Sequence, residues 1–167
     1  NKADAHFENS QFDQAAQDYT LVAYGHSKDE TSNKAAYASI VAYQNHIDGL
    51  IKNQTPEEEL NKWHALSLQS MLKFSEVYHQ DKRSISVLTN AAQAMFALKQ
   101  FDRAIEVASN LIANTPNLNK SLKQTAYGII AHCYFQKEAF AQAQENYLLQ
   151  RQLTDKTSKD YLLIGNQ

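Results

Sequence analysis

Six histidines and a single cysteine are the residues of this chain whose types suit metal binding or nucleophilic catalysis. Glu76 and His79 have the spacing of the Glu-x-x-His motif, but a di-iron bundle needs two such motifs and two further glutamates. His26 and Glu30 are one helical turn apart, which suits either a metal ion or a hydrogen bond. Because a closed metal site needs about four ligands, we interpret the histidines as scattered surface residues. We expect no metal and no other cofactor.

Cys133 is the only cysteine in the sequence, and it cannot form an internal disulfide. His132 lies beside it, but adjacent residues of a helix point in different directions, so the pair is not arranged for catalysis. The sequence contains no HExxH, CxxC or GxSxG motif and no glycine-rich phosphate loop. We therefore expect a buried structural thiol, no catalytic residues and a protein that is not an enzyme.

The composition predicts an all-α protein of one domain. The chain has 167 residues, a length typical of a single domain. It contains only 4 glycines and 2 prolines, whereas sheet proteins need many turns, so we expect long helices with few connections. The 16 basic and 18 acidic residues form no basic stripe, so we expect no nucleic-acid partner. No apolar run reaches the roughly 18 residues of a membrane span, and none is expected in this segment.

An aromatic residue followed three positions later by an alanine recurs along the chain. Mostly apolar residues follow each alanine after four and seven positions, and this spacing lies on one face of a helix. We interpret the alanine as the point where another helix approaches closely. The copies are Phe12 with Ala15, Phe101 with Ala104, and Phe140 with Ala143.

Apolar sets with the spacing of a first helix accompany these second helices, so each copy is predicted to be a helix hairpin. A single hairpin cannot bury its apolar stripe alone, and hairpins should therefore stack. The predicted hairpins span residues 1–25, 27–80, 84–115 and 119–153, and a further helix starts within 158–167. The second hairpin is the longest, with helices over about 27–51 and 56–78 and a capping box of Thr55 and Glu58. Because the sequence begins and ends within helical patterns, we expect it to be either part of a longer protein or a solenoid with atypical caps.

Two copies resemble the tetratricopeptide repeat (TPR) family. The residues that carry the resemblance are Leu88, Ala91, Ala92, Met95, Phe101, Ala104, Leu111 and Pro116, and then Tyr127, Ile130, Ala131, Tyr134, Phe140, Ala143 and Tyr147. The first hairpin, residues 1–25, keeps only its second helix well. The second hairpin, residues 27–80, departs from the pattern through its long helices. The resemblance implies a right-handed α-solenoid of about four stacked antiparallel hairpins and seven to eight helices. The chain is most similar to irregular repeat modules of bacterial cell-envelope proteins, which implies a periplasmic or cell-envelope location, with the cytoplasm as the alternative.

The resemblance also implies that the exposed faces of the first helices line a concave groove that binds a protein or peptide partner without chemistry. Phe7, Phe96 and Phe135 occupy equivalent positions, and they either anchor apolar ligand side chains or pack between adjacent repeats. The alternative function is a structural module of a larger envelope assembly, with contacts through the convex face and the ends. The candidate groove residues are Phe7, Lys34, Tyr37, Gln44, Thr89, Gln93, Phe96, Gly128, His132 and Phe135.

Overall fold

The computed structural model describes residues 1–25 and 28–165, with side chains described as far as Thr154. That part of the chain is all-α, with eight helices and no strand, which confirms the predicted fold class and number of helices. The helices are α1 (Lys2–Glu8), α2 (Phe12–Tyr24), α3 (Glu30–Lys52), α4 (Glu57–Val77), α5 (Ser84–Ala97), α6 (Phe101–Asn114), α7 (Lys120–Gln136) and α8 (Phe140–Gly165).

The chain divides into two compact units, Asn1–Val87 and Leu88–Gln167, and the boundary falls within α5. In the N-terminal unit, α2 contacts α1 and α3, and α3 also contacts α4. In the C-terminal unit, α7 contacts both α6 and α8. Packing between helices that are neighbours in the sequence is compatible with stacked hairpins. The single repeat domain over the whole chain stays a prediction.

The hairpin connections α1–α2, α3–α4, α5–α6 and α7–α8 share one backbone turn. One residue in each has a positive φ of 56° to 61°, a left-handed conformation that usually favours glycine. Its amide bonds to the carbonyl three residues back, and the next amide bonds to the carbonyl five residues back, over 2.8–3.0 Å. This is the Schellman motif, which satisfies the last carbonyls of the first helix. The positive-φ residues are Ser10, Gln54, Lys99 and Glu138.

This turn explains why the predicted capping box of Thr55 and Glu58 is wrong. The amide of Thr55 bonds to the carbonyl of Leu50, so Thr55 belongs to the Schellman turn that ends α3. Pro56 is the N-cap of α4, and no side chain caps that helix. The acidic residues 57–59 do occupy its first turn, as predicted, where they favour the positive end of the helix dipole.

Side-chain caps begin α1, α3 and α7. Asn1 accepts a hydrogen bond from the amide of Asp4, and Asp29 accepts one from the amide of Ser32, each within a reciprocal capping box. Asn119 accepts one from the amide of Ser121 over 2.8 Å. Asn and Asp are the residues that satisfy the free amides at helix starts most effectively. Each of these helices is therefore started by a local sequence signal.

Helix ends differ from the prediction at two places. α8 continues to Gly165, so the predicted break near residues 153–158 and the new helix from 158 are absent. That segment contains neither glycine nor proline, and its residues can continue a helix. α4 ends at Val77, which places His79 beyond the helix, so Glu76 and His79 do not share a helical face.

The predicted alanine contacts form part of the core. Ala15 and Ala104 are fully buried and Ala143 is 2% exposed, which confirms that small residues lie inside at these positions. The N-terminal unit also buries Ile47 and Phe74 almost completely. A buried hydrogen bond of 2.8 Å between the hydroxyls of Ser39 and Ser70 joins α3 to α4. The core is thus built mainly from small side chains that allow helices to pack closely.

Candidate functional site

Two of the predicted groove residues are buried, and their assignment to an open ligand surface is wrong. Thr89 is only 2% exposed. Gly128 is also buried, and its Cα faces the side-chain amide of Gln150 on α8. The helical period identified the exposed-face candidates, but the rotation of each helix about its axis depends on its neighbours. Tertiary packing has turned these two positions inward.

Tyr37 belongs to a packed network in the N-terminal unit. The Arg83 guanidinium lies 4.1 Å from the centre of the Tyr37 ring, and the Phe74 ring lies 6.0 Å away. Arg83 donates to both carboxylate oxygens of Asp81 and to the side-chain oxygen of Asn33 over 2.9–3.0 Å. The hydrogen bonds that Asp81 accepts, from the Arg83 side chain first, lower the pKa of Asp81 below its usual value. Tyr37 therefore stabilises the junction of α3, α4 and the start of α5.

Lys34 lies at a small cleft between the first helices α1 and α3. The cleft has a volume of about 250 Å³ and includes Asp4, Tyr19 and Ala35. The Tyr19 hydroxyl donates to Asp4 over 2.6 Å, which lowers the pKa of Asp4. Burial and that same hydrogen bond raise the pKa of Tyr19 to about 12. Lys34 pairs with Glu30 at 3.3 Å, so both its charge and that of Asp4 have partners on their own unit.

Gln44 is the remaining polar candidate of this unit. It is exposed and donates to Asp48 over 2.8 Å, one turn further along α3. An exposed side-chain pair of this kind contributes a few tenths of a kcal/mol to helix stability. Gln44 is therefore a solvent-exposed residue whose hydrogen bond to Asp48 lies within α3.

The three equivalent phenylalanines each contact the aromatic residue five positions later, across the Schellman turn of the same hairpin. The centroid distances are 5.2 Å for Phe7, 5.6 Å for Phe96 and 5.4 Å for Phe135. These tilted and edge-on geometries are the favourable ones for aromatic pairs. The partner rings are Phe12, Phe101 and Phe140. The sequence contains this signal as a repeated Phe-x-x-x-x-Phe spacing.

Residues of α5 and α7 in the C-terminal unit form one accessible surface, which we call the α5–α7 surface. Gln93 and His132 are exposed, and Phe96 is half-buried. The rings of Phe96 and His132 lie 6.1 Å apart, so side chains of two successive first helices meet. The His132 ring also contacts Tyr147 of α8 at 5.3 Å. Of the predicted groove residues, the structure brings Phe96 and His132 together, and Gln93 lies three residues before Phe96 on α5.

A second accessible surface lies along α8, and we call it the α8 cleft. It has a volume of about 330 Å³ and is lined mainly by Phe135, Phe140, Ala143, Tyr147 and Leu148. Phe135, Phe140 and Leu148 are 50%, 57% and 48% exposed, which is unusual for adjacent large apolar side chains. Of the residues that line this cleft, only Phe135 was among the groove residues predicted from the sequence. The apolar side of α8 suggested burial, and nothing local to the sequence indicated that it stays uncovered.

One histidine–carboxylate pair lies on the N-terminal unit, where His6 Nδ1 is 2.7 Å from a carboxylate oxygen of Asp18. Among the residues that the structure describes, no three His, Cys, Asp or Glu side chains are grouped to hold a metal ion. His26 lies outside those residues, and so does its pairing with Glu30. Burial raises the pKa of the Cys133 thiol to about 11, which keeps the thiol protonated near neutral pH. Among the described helices, none is both long and apolar enough to cross a lipid bilayer.

Comparison with known proteins identifies no relative of the chain, so functional inference depends on the α5–α7 surface and the α8 cleft. No protein-family model matches the chain. No curated protein matches its sequence either.

Proposed function

We propose that the chain is a TPR-like interaction module that binds a peptide segment of another protein on its α5–α7 surface. The observation that carries the proposal is the contact between Phe96 and His132, which joins two first helices into one surface beside exposed Gln93. Such a surface combines aromatic area with hydrogen-bonding groups, as peptide-binding surfaces do. The module acts through a preorganised shape and supplies no reacting group.

The experiment selects peptides from a phage-displayed random library against the whole chain and then titrates the selected peptides by fluorescence anisotropy. Gln93→Ala and His132→Ala should each weaken binding at least about tenfold if they remove central contacts. Gln93 is exposed, so the thermal midpoint of Gln93→Ala should stay close to that of the unaltered chain, whereas His132→Ala also loses ring contacts with Phe96 and Tyr147 and should lose some stability. Phe96→Ala should weaken binding further, with some loss of stability because that ring also packs on Phe101.

Gln142→Ala is the matched control, because Gln142 is exposed on α8 and lies outside the α5–α7 surface. Its affinity for the selected peptides should be unchanged. The proposal is refuted if no peptide is selected. It is also refuted if the selected peptides bind the Gln93 and His132 variants as well as they bind the unaltered chain.

The alternative proposal is a structural module of a larger cell-envelope assembly, with contacts through its convex face and its ends. The exposed apolar residues of the α8 cleft favour it, because surfaces of this kind are usually covered in an assembly.

A further inference from the structure

The α8 cleft combines an apolar floor with two polar side chains. Among the residues that the structure describes, its lining includes Gln144 and Arg151 besides the apolar and aromatic residues, and it includes no acidic residue. Both polar residues are exposed. They lie four residues before and three residues after Leu148, so all three share one face of α8. A cationic guanidinium therefore stands beside an exposed apolar surface.

These two polar positions distinguish α8 from the second helices that a following first helix contacts. α3 packs on α2, and α7 packs on α6. The equivalent positions, one and eight residues after the anchoring alanine, hold buried Ala16 and Ala23 on α2 and partly buried Ile105 and Ile112 on α6. Apolar residues suit close helix packing, whereas an amide and a guanidinium would lose their hydration under a covering helix. The α8 cleft therefore suits a different kind of occupant.

The polar residues indicate the charge of that occupant. A guanidinium stays protonated, and its planar donors match a carboxylate through two parallel hydrogen bonds. Because a guanidinium has five N–H donors, Arg151 can bind a carboxylate in addition to a partner on its own chain. The side-chain amide of Gln144 supplies a further donor to the same cleft. The site should therefore prefer an anion to a cation.

The rest of the lining indicates the body of the occupant. Phe140 and Leu148 are about half exposed, so a hydrocarbon that covers them removes apolar surface from water. The cleft volume of about 330 Å³ lies at the lower end of the range for small-molecule sites. From Phe140 to Arg151 the helix rises about 16 Å. These dimensions suit a short hydrocarbon chain along α8 with its head group at Arg151.

We propose that the α8 cleft binds a small carboxylic acid with a hydrocarbon body, such as a medium-chain fatty acid. The carboxylate accepts hydrogen bonds from Arg151 and Gln144, and the hydrocarbon chain packs on Phe140 and Leu148. The binding is noncovalent, and the cleft supplies no reacting group. This site lies beyond the α5–α7 surface and adds a small-molecule ligand to the proposed function.

The test compares three probes that share one hydrocarbon chain and differ in the head group: octanoate, octan-1-ol and octylamine. Each is titrated into the whole chain at neutral pH, and the NMR signals of the Leu148 methyl groups report binding because Leu148 lines the cleft. Octanoate should bind with a Kd below about 1 mM. Octylamine should bind at least about tenfold more weakly, because its ammonium group would meet the Arg151 guanidinium.

Arg151→Gln should weaken octanoate binding at least about tenfold, because it removes a charged hydrogen-bond donor, and should change octan-1-ol binding by less than about twofold. Arg151→Lys keeps the charge but loses the planar pair of donors, so its loss should be intermediate. The matched control is Arg103→Gln, since Arg103 is exposed on α6 and does not line the cleft. Gln93→Ala should leave octanoate binding unchanged, so that failure here and failure of the peptide-binding proposal are distinguishable.

Three results would overturn the inference. The first is that octanoate leaves the Leu148 methyl signals unchanged at concentrations up to about 10 mM, tenfold above the expected Kd. The second is that the three probes bind equally well, or that Arg151→Gln binds octanoate as the unaltered chain does, since the cleft would then be a nonspecific apolar surface. The third comes from sedimentation velocity of the chain alone. If the chain dimerises and Leu148→Glu abolishes the dimer, then a second copy covers the cleft and a carboxylic acid does not.

Discussion

Glu138→Gly should stabilise the protein, although it removes a side chain and introduces the most flexible residue. Glu138 has φ of 61° in the turn between α7 and α8. An L-residue pays roughly 1–2 kcal/mol in this left-handed conformation, and glycine does not. Glycine loses about 0.5–1 kcal/mol more backbone entropy on folding. Because Glu138 is exposed and few contacts are lost, the net gain in the free energy of unfolding should be about 0.5–1 kcal/mol.

Urea unfolding followed by circular dichroism measures this gain as a higher midpoint with an unchanged slope. The matched control is Glu145→Gly, because Glu145 is also exposed but lies inside α8. That substitution should cost about 1 kcal/mol through helix propensity. Glu138→Ala should give no gain, since alanine keeps a Cβ. A loss of stability in Glu138→Gly of the same size as in Glu145→Gly would refute the left-handed turn.

The same substitution at the other hairpin turns tests whether the four turns are equivalent. Ser10, Gln54 and Lys99 have φ of 59°, 56° and 61° and the same pair of backbone hydrogen bonds. The sites lie in different hairpins, so their effects should add within about 0.5 kcal/mol. A fourfold variant is therefore expected to gain about 2 kcal/mol or more. A gain no larger than that of the single variant would argue against equivalence.

Three further outcomes are expected. The Arg83 side chain lowers the pKa of Asp81 in the folded state, so the stabilising contribution of Asp81 is present above its unfolded pKa of about 4 and is lost as the pH falls through the folded pKa. Asp81→Asn should therefore flatten the decline in unfolding free energy below about pH 4. An unchanged decline in urea titrations would contradict this. Cys133, with a pKa of about 11, should react with a thiol-specific disulfide reagent at pH 8 only after urea unfolding, whereas a native rate equal to that of a free thiol would contradict its burial. In a Gln150→Ala background, Gly128→Ala should raise the free energy of unfolding by about 1 kcal/mol, because the added methyl group no longer meets the Gln150 amide. A lower free energy in urea unfolding would show that the helix backbones themselves are too close.

Local signals of the sequence were sufficient for the fold class and for the positions of most helices. The aromatic-and-alanine spacing predicted that the alanines of α2, α6 and α8 are buried, because helical period depends only on the chain itself. The caps at Asp29 and Asn119 are likewise local. The sequence did not reveal the turn at Glu138 and its equivalents, because no glycine marks them. Their backbone hydrogen bonds, and at three of the four turns an aromatic pair as well, stabilise the left-handed residue.

The candidate site shows the opposite balance. Periodicity restricted it to the exposed faces of the first helices, and Gln93 and His132 are indeed exposed. Thr89 and Gly128 lie inside, and Tyr37 lies against Arg83, because contacts far apart in the sequence set the rotation of each helix.

The sequence by itself determined that this protein is helical, that it repeats a hairpin, and that alanines lie where helices pack. Each of these follows from residue type and spacing within a single helix. Only the tertiary structure decided which apolar faces are covered, since that depends on whether another helix packs there. Tyr19 is 8% exposed on α2, which packs against α3, whereas Phe140 and Leu148 of α8 are 57% and 48% exposed.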